Sequence, residues 1–542
     1  MSTQSEFLTE VDGHTVVTPA GKEWLAKILT STEDQVYAFM SEADPVIVAA
    51  AMARLSRRAG DMRVALLDEF AGDPADAPKL IKRVVTEYGD DSVQQLITIQ
   101  FVVEGASNIL TKLLEWGRIG AAYLEQSTRY IYFDEKGPDG RYLFYVPESL
   151  EPVLAQRYER DMNTIFDIYS EVVRRVTEHV RATNPRPDKA EDPFGHKGWP
   201  AVTRAQACDA ARPLLPVATK STVGFAMSAQ AVDALVMRLL AHELPEAQAV
   251  GRKILDHARL VVPAFLERTD RPDRGGLTTE YWRGTTSAMA ELADELLPAE
   301  PAWWDMRSVK LTSYWPHSEL DLAPAMLFDH CGLSLRGIQT QLEMHRDSHR
   351  VKEQILQAYV GDRLNRRHKP GRALETAHFS WELVADYGVF RDLQRHRMVD
   401  DLRWQQLHPG FGYEVPELVI KAGCGGLFEQ AYAISEQLFS AMATEHAVEA
   451  QYATLLGHRM RFCMTTNLRE LFHMLELRTS PQGHPGYRKL CQEMYRELRF
   501  VYPRLAAAMQ FVNQSDNLDE LTRMAAERAT AAKLAGLDQP EG

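Results

Sequence analysis

Apolar positions recur every three to four residues over residues 44–87, and this spacing predicts helices, with the clearest faces at 50–67 and 80–88. Asp90-Asp91-Ser92 reads as a helix start. The stretch that follows, 93–110, carries Ile97, Thr98, Ile99, Phe101, Val102 and Val103, a β-branched and aromatic run that leans to strand and leaves the element type open. A helical pattern follows over 108–118. Tyr130-Ile131-Tyr132-Phe133 and Tyr142-Leu143-Phe144-Tyr145 flank Gly137, Pro138 and Gly140, which predicts a hairpin. Helices are expected over 150–182, a Pro- and Gly-rich loop over 183–200, and helix again over 205–257, interrupted near Pro213 and Pro216. Pro272, Gly275, Gly276, Pro298 and Pro301 mark a domain boundary near residue 300. Beyond it the pattern predicts helix over 324–359 and strand or helix over 374–393. A loop is expected at 410–416, one long helix over 417–455, helices over 459–478 and 487–504, and a polar tail after Ser515.

The order of these segments repeats. Val146-Pro147-Glu148 recurs as Val415-Pro416-Glu417, each after an aromatic-rich segment. Leu113-Leu114-Glu115-Trp116-Gly117-Arg118 holds the place that residues 391–397 hold later, and the apolar spacing of 231–238 resembles that of 468–478. A shared order of matches is far less probable by chance than one match, so the chain reads as two diverged copies of one domain. The first covers 20–295 and the second 300–515, with 516–542 a polar tail.

Composition narrows the class. The 542 residues, 45% hydrophobic and 25% charged, are those of an ordinary globular protein. A net charge of −14 argues against nucleic-acid or anionic-membrane partners, which need a basic face. No apolar run approaches the ~18 residues of a membrane span, and the first residues lack the pattern of a signal peptide. Cys208, Cys331, Cys424, Cys463 and Cys491 are scattered without a CxxC, which points to reduced thiols and a cytoplasmic setting.

Against that acidic background three clusters stand out. Arg395-His396-Arg397 ends an amphipathic segment, so its side chains diverge and would clasp a planar polyanion from several sides; a solvated basic helix end is the bland alternative. In Glu125-Gln126-Ser127-Thr128-Arg129-Tyr130 an extended backbone would aim Glu125, Ser127 and Arg129 to one side, a hydroxyl and a guanidinium suited to a phosphate monoester. In 467–478, Leu468, Leu471 and Leu475 form a helix stripe, with Arg469 and His473 sharing a face and Arg478 about three turns from Asn467.

Together these clusters resemble the flavin-dependent thymidylate synthases, the ThyX or thymidylate synthase complementing protein family. Its signature, Arg-His-Arg-x-x-Ser-x-Asn-Glu-x-Ser-x-Arg-Tyr, is met at its start by Arg395-His396-Arg397 and at its end by Glu125-Gln126-Ser127-Thr128-Arg129-Tyr130. The family's Asn-x-Arg-x-Leu helix is matched by Asn467, Arg469, Leu471, Leu475, Leu477 and Arg478, and its His-x-x-x-x-Glu-His segment survives as Glu375. Each copy also departs from the signature. Trp116-Gly117-Arg118 stands where Arg-His-Arg belongs, Asp90 and Gln95 replace the upstream His and Glu, and no Ser-x-Arg-Tyr follows Arg397. One signature is thus divided between two copies.

The resemblance implies an α+β fold of two tandem ThyX-like domains, each a small, mostly antiparallel sheet with long helices. It implies methylation of dUMP to dTMP with methylene-tetrahydrofolate, reduced FAD delivering hydride and NADPH re-reducing it, and no side-chain nucleophile and no metal. Arg395, His396, Arg397 and Glu375 would face FAD. Glu125, Gln126, Ser127 and Arg129 would face the nucleotide, and Arg469 and Arg478 the pyrimidine or the flavin. Because the family builds its sites from several subunits, two tandem copies are expected to pair as a homodimer that mimics a tetramer. The alternatives are a flavin enzyme acting on another pyrimidine nucleotide, and a non-catalytic flavin- or nucleotide-binding paralogue.

Overall fold

Period-two burial runs through two segments that flank the strongest helices of the chain. In the computed structural model, which describes residues 6–12, 14–55, 61–71, 91–117, 119–297 and 305–515, both are strands. The expectations for 72–90, Arg118 and the tail from 516 lie outside the described residues.

The chain forms two compact units, one made of Met1–Ala106, Leu113–Glu125 and Ser221–Ala299, the other of Ser107–Lys112, Gln126–Lys220 and Glu300–Gly542. In the first, a small antiparallel hairpin, β1 (Leu8–Val11) and β2 (His14–Val17), precedes a sheet of β3 (Thr98–Ser107), β4 (Ala121–Glu125) and β5 (Lys220–Ser228) in the order β3-β5-β4. The β-branched run left open between strand and helix is β3. Alternation buries Val223, Phe225 and Met227 of β5, and Phe101 stacks on Phe225 with ring centroids 5.2 Å apart. Ser228 caps the helix Ala229–Ala241, accepting the Ala231 N–H at 3.2 Å, and Val232, Leu235, Val236 and Leu239 form its buried stripe. The next helix, Pro245–Val261, comes close because Gly251 has no side chain: a Cβ there would lie 2.9 Å from Leu239 Cβ.

The second unit holds β6 (Val309–Trp315), β7 (His378–Asp386), β8 (Val399–Trp404) and β9 (Arg459–Asn467) in the order β6-β7-β9-β8, every neighbouring pair antiparallel. Phe379, Trp381 and Leu383 of β7 and Met460, Phe462 and Met464 of β9 are buried. The 32-residue helix Pro152–Thr183 packs against Pro193–Ala211 and Gly425–Ala443. Among the described residues no helix is long and apolar enough to cross a membrane.

The duplication is visible in the topology. Strand, short helix, strand, long helices, strand, helix, helix occur in both halves, and β3-β5-β4 has the order of β7-β9-β8. The fold is the α+β tandem expected, with mainly antiparallel sheets beside long helices.

Several elements differ from expectation. Residues 220–228 and 459–467 are strands rather than helix; Arg459-Met460-Arg461-Phe462-Cys463-Met464 alternates, and the period-two signal overrides the helical segments beside it. The aromatic hairpin near Gly137 does not form. Tyr142 and Phe144 stack instead on Phe166 of the long helix, at 5.0 and 5.9 Å, and Phe144 makes a single bridge to Thr219. The expected helix over 417–455 is broken: Glu417–Lys421 ends at Gly423, whose φ of 69° suits glycine, before Gly425–Ala443 begins. The loop expected over 183–200 gives way at Pro193 to helix, capped by Asp192, which accepts the Gly195 N–H at 2.8 Å.

Candidate functional site

The second unit assembles its polar interior around the turn between the helix Tyr387–Leu393 and β8. Asp386 caps this helix, accepting the Val389 N–H at 2.7 Å, and every residue of the helix is buried. Gln394 Nε2 then donates to the Lys112 carbonyl at 2.9 Å, which fixes the exit of the chain. The three side chains of Arg395-His396-Arg397 diverge as the sequence predicted: His396 turns inward and is 4% exposed, while Arg395 and Arg397 are exposed on either side.

Arg478 Nε, which can only donate, lies 2.9 Å from His396 Nε2; that nitrogen therefore accepts, and the proton sits on Nδ1, which donates to Glu470 Oε1 at 2.7 Å. Burial, with the fields of Arg478 and Lys369, holds the His396 pKa well below the usual histidine range, so the ring is neutral. Burial raises the Glu470 carboxyl, and it lowers His473 to about 4. Atoms of His396, Glu470 and His473 lie within 4.8 Å of one another, near enough for a metal ion to bridge. The guanidinium on His396 Nε2 and the cations Lys369 and Arg469 beside Glu470 oppose a positive occupant and favour an anionic one.

Lys369, Glu375, Met398, Asn467, Arg469 and Glu470 line a cleft of about 30 Å³ at this turn, room for an edge or an oxygen atom rather than a ring system. Arg469 is anchored in its wall, donating from Nε to the Pro370 carbonyl at 2.9 Å and from Nη1 to Glu375 at 3.0 Å. Glu375 also accepts from Arg372 at 3.0 Å, which, ahead of Arg469, lowers its pKa. The wider hollow of the first unit, about 440 Å³ near Thr30, Ser31, Glu33 and Asp34, has acidic walls and suits anions poorly.

The Ser127-x-Arg129 pair takes a different form from the one its sequence suggested. The strand ends at Glu125, which is buried, and Gln126 is exposed. Ser127 Oγ accepts the Arg129 N–H at 3.2 Å, so a turn replaces the extended geometry that would aim both side chains one way. Arg129 makes a fork with Asp209, at 2.8 and 2.7 Å, and its Nη1 donates to Tyr487 Oη at 3.3 Å. Burial alone would lower the Arg129 pKa, but Asp209 holds it well above its ordinary value. Burial likewise works to raise Asp209, and Arg129 outweighs it and keeps the carboxyl low.

Tyr487 joins the two halves of the signature. Its ring lies under two guanidinium groups, Arg129 at 5.9 Å and Arg478 at 5.2 Å from the centroid. A continuous polar chain therefore runs Asp209–Arg129–Tyr487–Arg478–His396–Glu470. Beneath it Arg212 pairs with Asp392 at 3.2 Å, both buried, and Arg478 Nη2 donates to the Asp392 carbonyl. His484, weighed from the sequence as a loop residue rather than a base, caps the helix Pro485–Val501. Its Nδ1 accepts the Gly486 N–H at 3.1 Å, and burial pushes its pKa down to about 3.

The sequence reading missed Tyr487, Asp209, Arg212, Asp392 and Lys369. Tyr487, Asp209, Arg212 and Asp392 pair across many positions of the chain, Lys369 reaches Glu470 and His396 only through its field, and none lies in a local motif. The one available signal was Asp392 within the run leading to Arg395.

A model of the Thy1 family, described as thymidylate synthase complementing protein, matches the chain over residues 35–264 and again over 310–504. A UPF0159 protein of Thermoplasma acidophilum is 29% identical over 509 residues, covering 90% of this chain and 99% of that protein. A UPF0159 protein of Chlamydia pneumoniae is 29% identical over 517 residues, covering 91% of this chain and 95% of that protein. A Pyrococcus furiosus protein named flavin-dependent thymidylate synthase is 32% identical over 102 residues, 18% of this chain and 40% of that protein.

Proposed function

Because the chain belongs to the thymidylate synthase complementing protein family, we propose that it is a flavin-dependent thymidylate synthase, methylating dUMP to dTMP with methylene-tetrahydrofolate, FAD and NADPH. The observation that carries this reading is the fixed turn of Arg395-His396-Arg397, with two exposed cations around a buried, neutral imidazole, beside a cleft walled by Lys369 and Arg469.

These residues fit a flavin dinucleotide. Arg395 and Arg397 offer planar forks to a diphosphate, Lys369 and Arg469 add positive charge, and the cleft admits the edge of a ring or a phosphoryl oxygen. Bound there, the flavin would supply hydride. The protein's part is placement and charge. Glu470 and Arg478 hold His396 in one tautomer and orientation, so the backbone that carries Arg395 and Arg397 is fixed before any ligand arrives. Arg478, resting on Tyr487, is the cation for the pyrimidine carbonyl, with Arg469 and Glu375 toward the cofactor. Ser127 and Arg129, with Glu125 and Gln126 at the head of their turn, are assigned to the nucleotide. In this assembly two chains pair as a dimer in the cytoplasm.

One observation favours the runner-up. Asp209 already neutralises Arg129, and Ser127 Oγ is engaged in its own turn, so the phosphate clasp of the signature is weaker here. A flavin enzyme acting on another pyrimidine nucleotide, or a binding paralogue without turnover, would tolerate that loss. The visible spectrum of the purified chain tests the flavin: both enzyme readings expect flavin bands, whereas a binding paralogue expects either no yellow colour or flavin bound without turnover. Growth of a thymidine-requiring strain carrying the gene separates the first reading from the other two.

A further inference from the structure

The first copy keeps the same turn with different side chains. Between the helix Asn108–Leu114 and β4 stands Gly117, at the place His396 occupies between the helix Tyr387–Leu393 and β8. In the second copy the imidazole accepts from Arg478 Nε. In the first, the helix after β5 carries Arg238, ten residues past its cap Ser228 where Arg478 is eleven past Asn467, and its guanidinium still reaches the turn. Arg238 lies over the Trp116 ring, 5.8 Å from the centroid, and a Cβ on Gly117 would sit 3.2 Å from its Nη2 and 3.1 Å from Tyr123 Oη.

Among the described residues no hydrogen-bond acceptor meets Arg238 Nε there, an atom shielded from solvent, and no carboxylate pairs with the guanidinium. Desolvation lowers its pKa, opposed only by the field of Tyr123. Tyr123 Oη donates to the Gly117 carbonyl, which holds the turn open. The result is a cradle with a cation at its base, an indole wall 38% exposed, and no side chain at Gly117 where the second copy places its acceptor.

We infer that this cradle is a second ligand site, which takes an oxyanion of a small molecule, a phosphate or a carboxylate, onto Arg238 with Trp116 flanking it. Guanidinium forks match both groups, and an aromatic face beside the fork accommodates a flat substituent. The inference does not depend on flavin or on thymidylate synthesis.

The test is NMR of arginine Nε–H groups in the full-length chain, the Arg238 signal being assigned by its loss in Arg238→Lys. Titration with inorganic phosphate and, separately, with glutarate distinguishes a phosphate from a carboxylate site. The signal is expected to move on binding at least one of them. Gly117→His, which returns an imidazole to the turn, should move it without added anion and abolish the response. A signal indifferent to both anions, or one that responds equally in Gly117→His, overturns the inference. Should Gly117→His fail to fold, Trp116→Phe serves instead: a weakened response supports the site, and an unchanged one counts against it.

Discussion

Replacing Arg129 by Met keeps most of its volume and removes its charge, leaving Asp209 without its fork. The two side chains are only 12% and 14% exposed, and the bonds are 2.8 and 2.7 Å, so solvent screens the pair little. Breaking one partner of such a pair costs about 3–5 kcal/mol. The unit that holds the pair has roughly 340 residues, and at ~2.1 cal/mol/K per residue each kcal/mol moves its midpoint by about 1.4 °C, so the melting temperature at pH 7 should fall by roughly 4–7 °C. The sign with pH is fixed. Asp209 has a lowered pKa in the folded wild type, so it contributes stability above the ordinary carboxylate range, lost as pH falls through its folded value. In Arg129→Met the unpaired carboxyl protonates more readily, and the deficit should shrink as pH drops below the carboxylate range. Arg129→Met with Asp209→Leu should recover most of the loss, since the buried charge is gone as well. Scanning calorimetry of the wild type and the two variants at pH 7 and pH 4.5 measures this. A single variant within about 1 kcal/mol of wild type at pH 7, or a deficit unchanged by pH, refutes the reasoning.

Asp386 is buried, and desolvation, with Asp392 adding to it and Arg212 and Arg459 opposing, raises its pKa to about 6. The folded state then holds this proton more tightly than the unfolded chain, so its contribution favours folding at low pH and declines as pH rises through about 6. Asp386→Asn, which keeps an oxygen for the Val389 N–H, should flatten that decline and stabilise the protein at pH 7 by at most about 3 kcal/mol in urea titrations. Glu476→Gln removes the charge facing Arg363, which it meets at 2.6 Å through both nitrogens with side chains 1% and 3% exposed. A loss of about 3–5 kcal/mol is expected, and an unchanged urea midpoint would contradict it. Arg395→Ala, at an exposed position, should leave stability within about 1 kcal/mol while weakening flavin retention on gel filtration; full retention would remove Arg395 from the proposed cofactor site.

The sequence carried the duplication, the clusters and the two-sidedness of the Arg-His-Arg turn because each rests on local spacing. The stripe of Leu468, Leu471 and Leu475 carries the helix that ends at Arg478, and Asn467 caps its start. The strand 459–467 was hidden because two of its outward positions are arginines, at home in either element, and the helix that follows it is strong. The aromatic hairpin failed for the converse reason. Tyr142 and Phe144 have high strand propensity, but the face of the long helix offered Phe166, and packing decided. Tyr487 and Asp209 were illegible: one follows a His-Pro-Gly cap, the other sits inside a helix, and what gives each its part is Arg129, 358 and 80 residues away.

The central claim, that one divided signature still makes a methylating site, is tested most directly by tritium release. Substitution at C5 of the uracil ring frees the hydrogen it carries, so dUMP tritiated at C5 should release label to water when the chain is supplied with FAD, methylene-tetrahydrofolate and NADPH. The account predicts release that depends on all three and is lost in Arg395→Ala while the protein remains folded. A yellow, folded wild-type protein that binds dUMP and releases no label would contradict it.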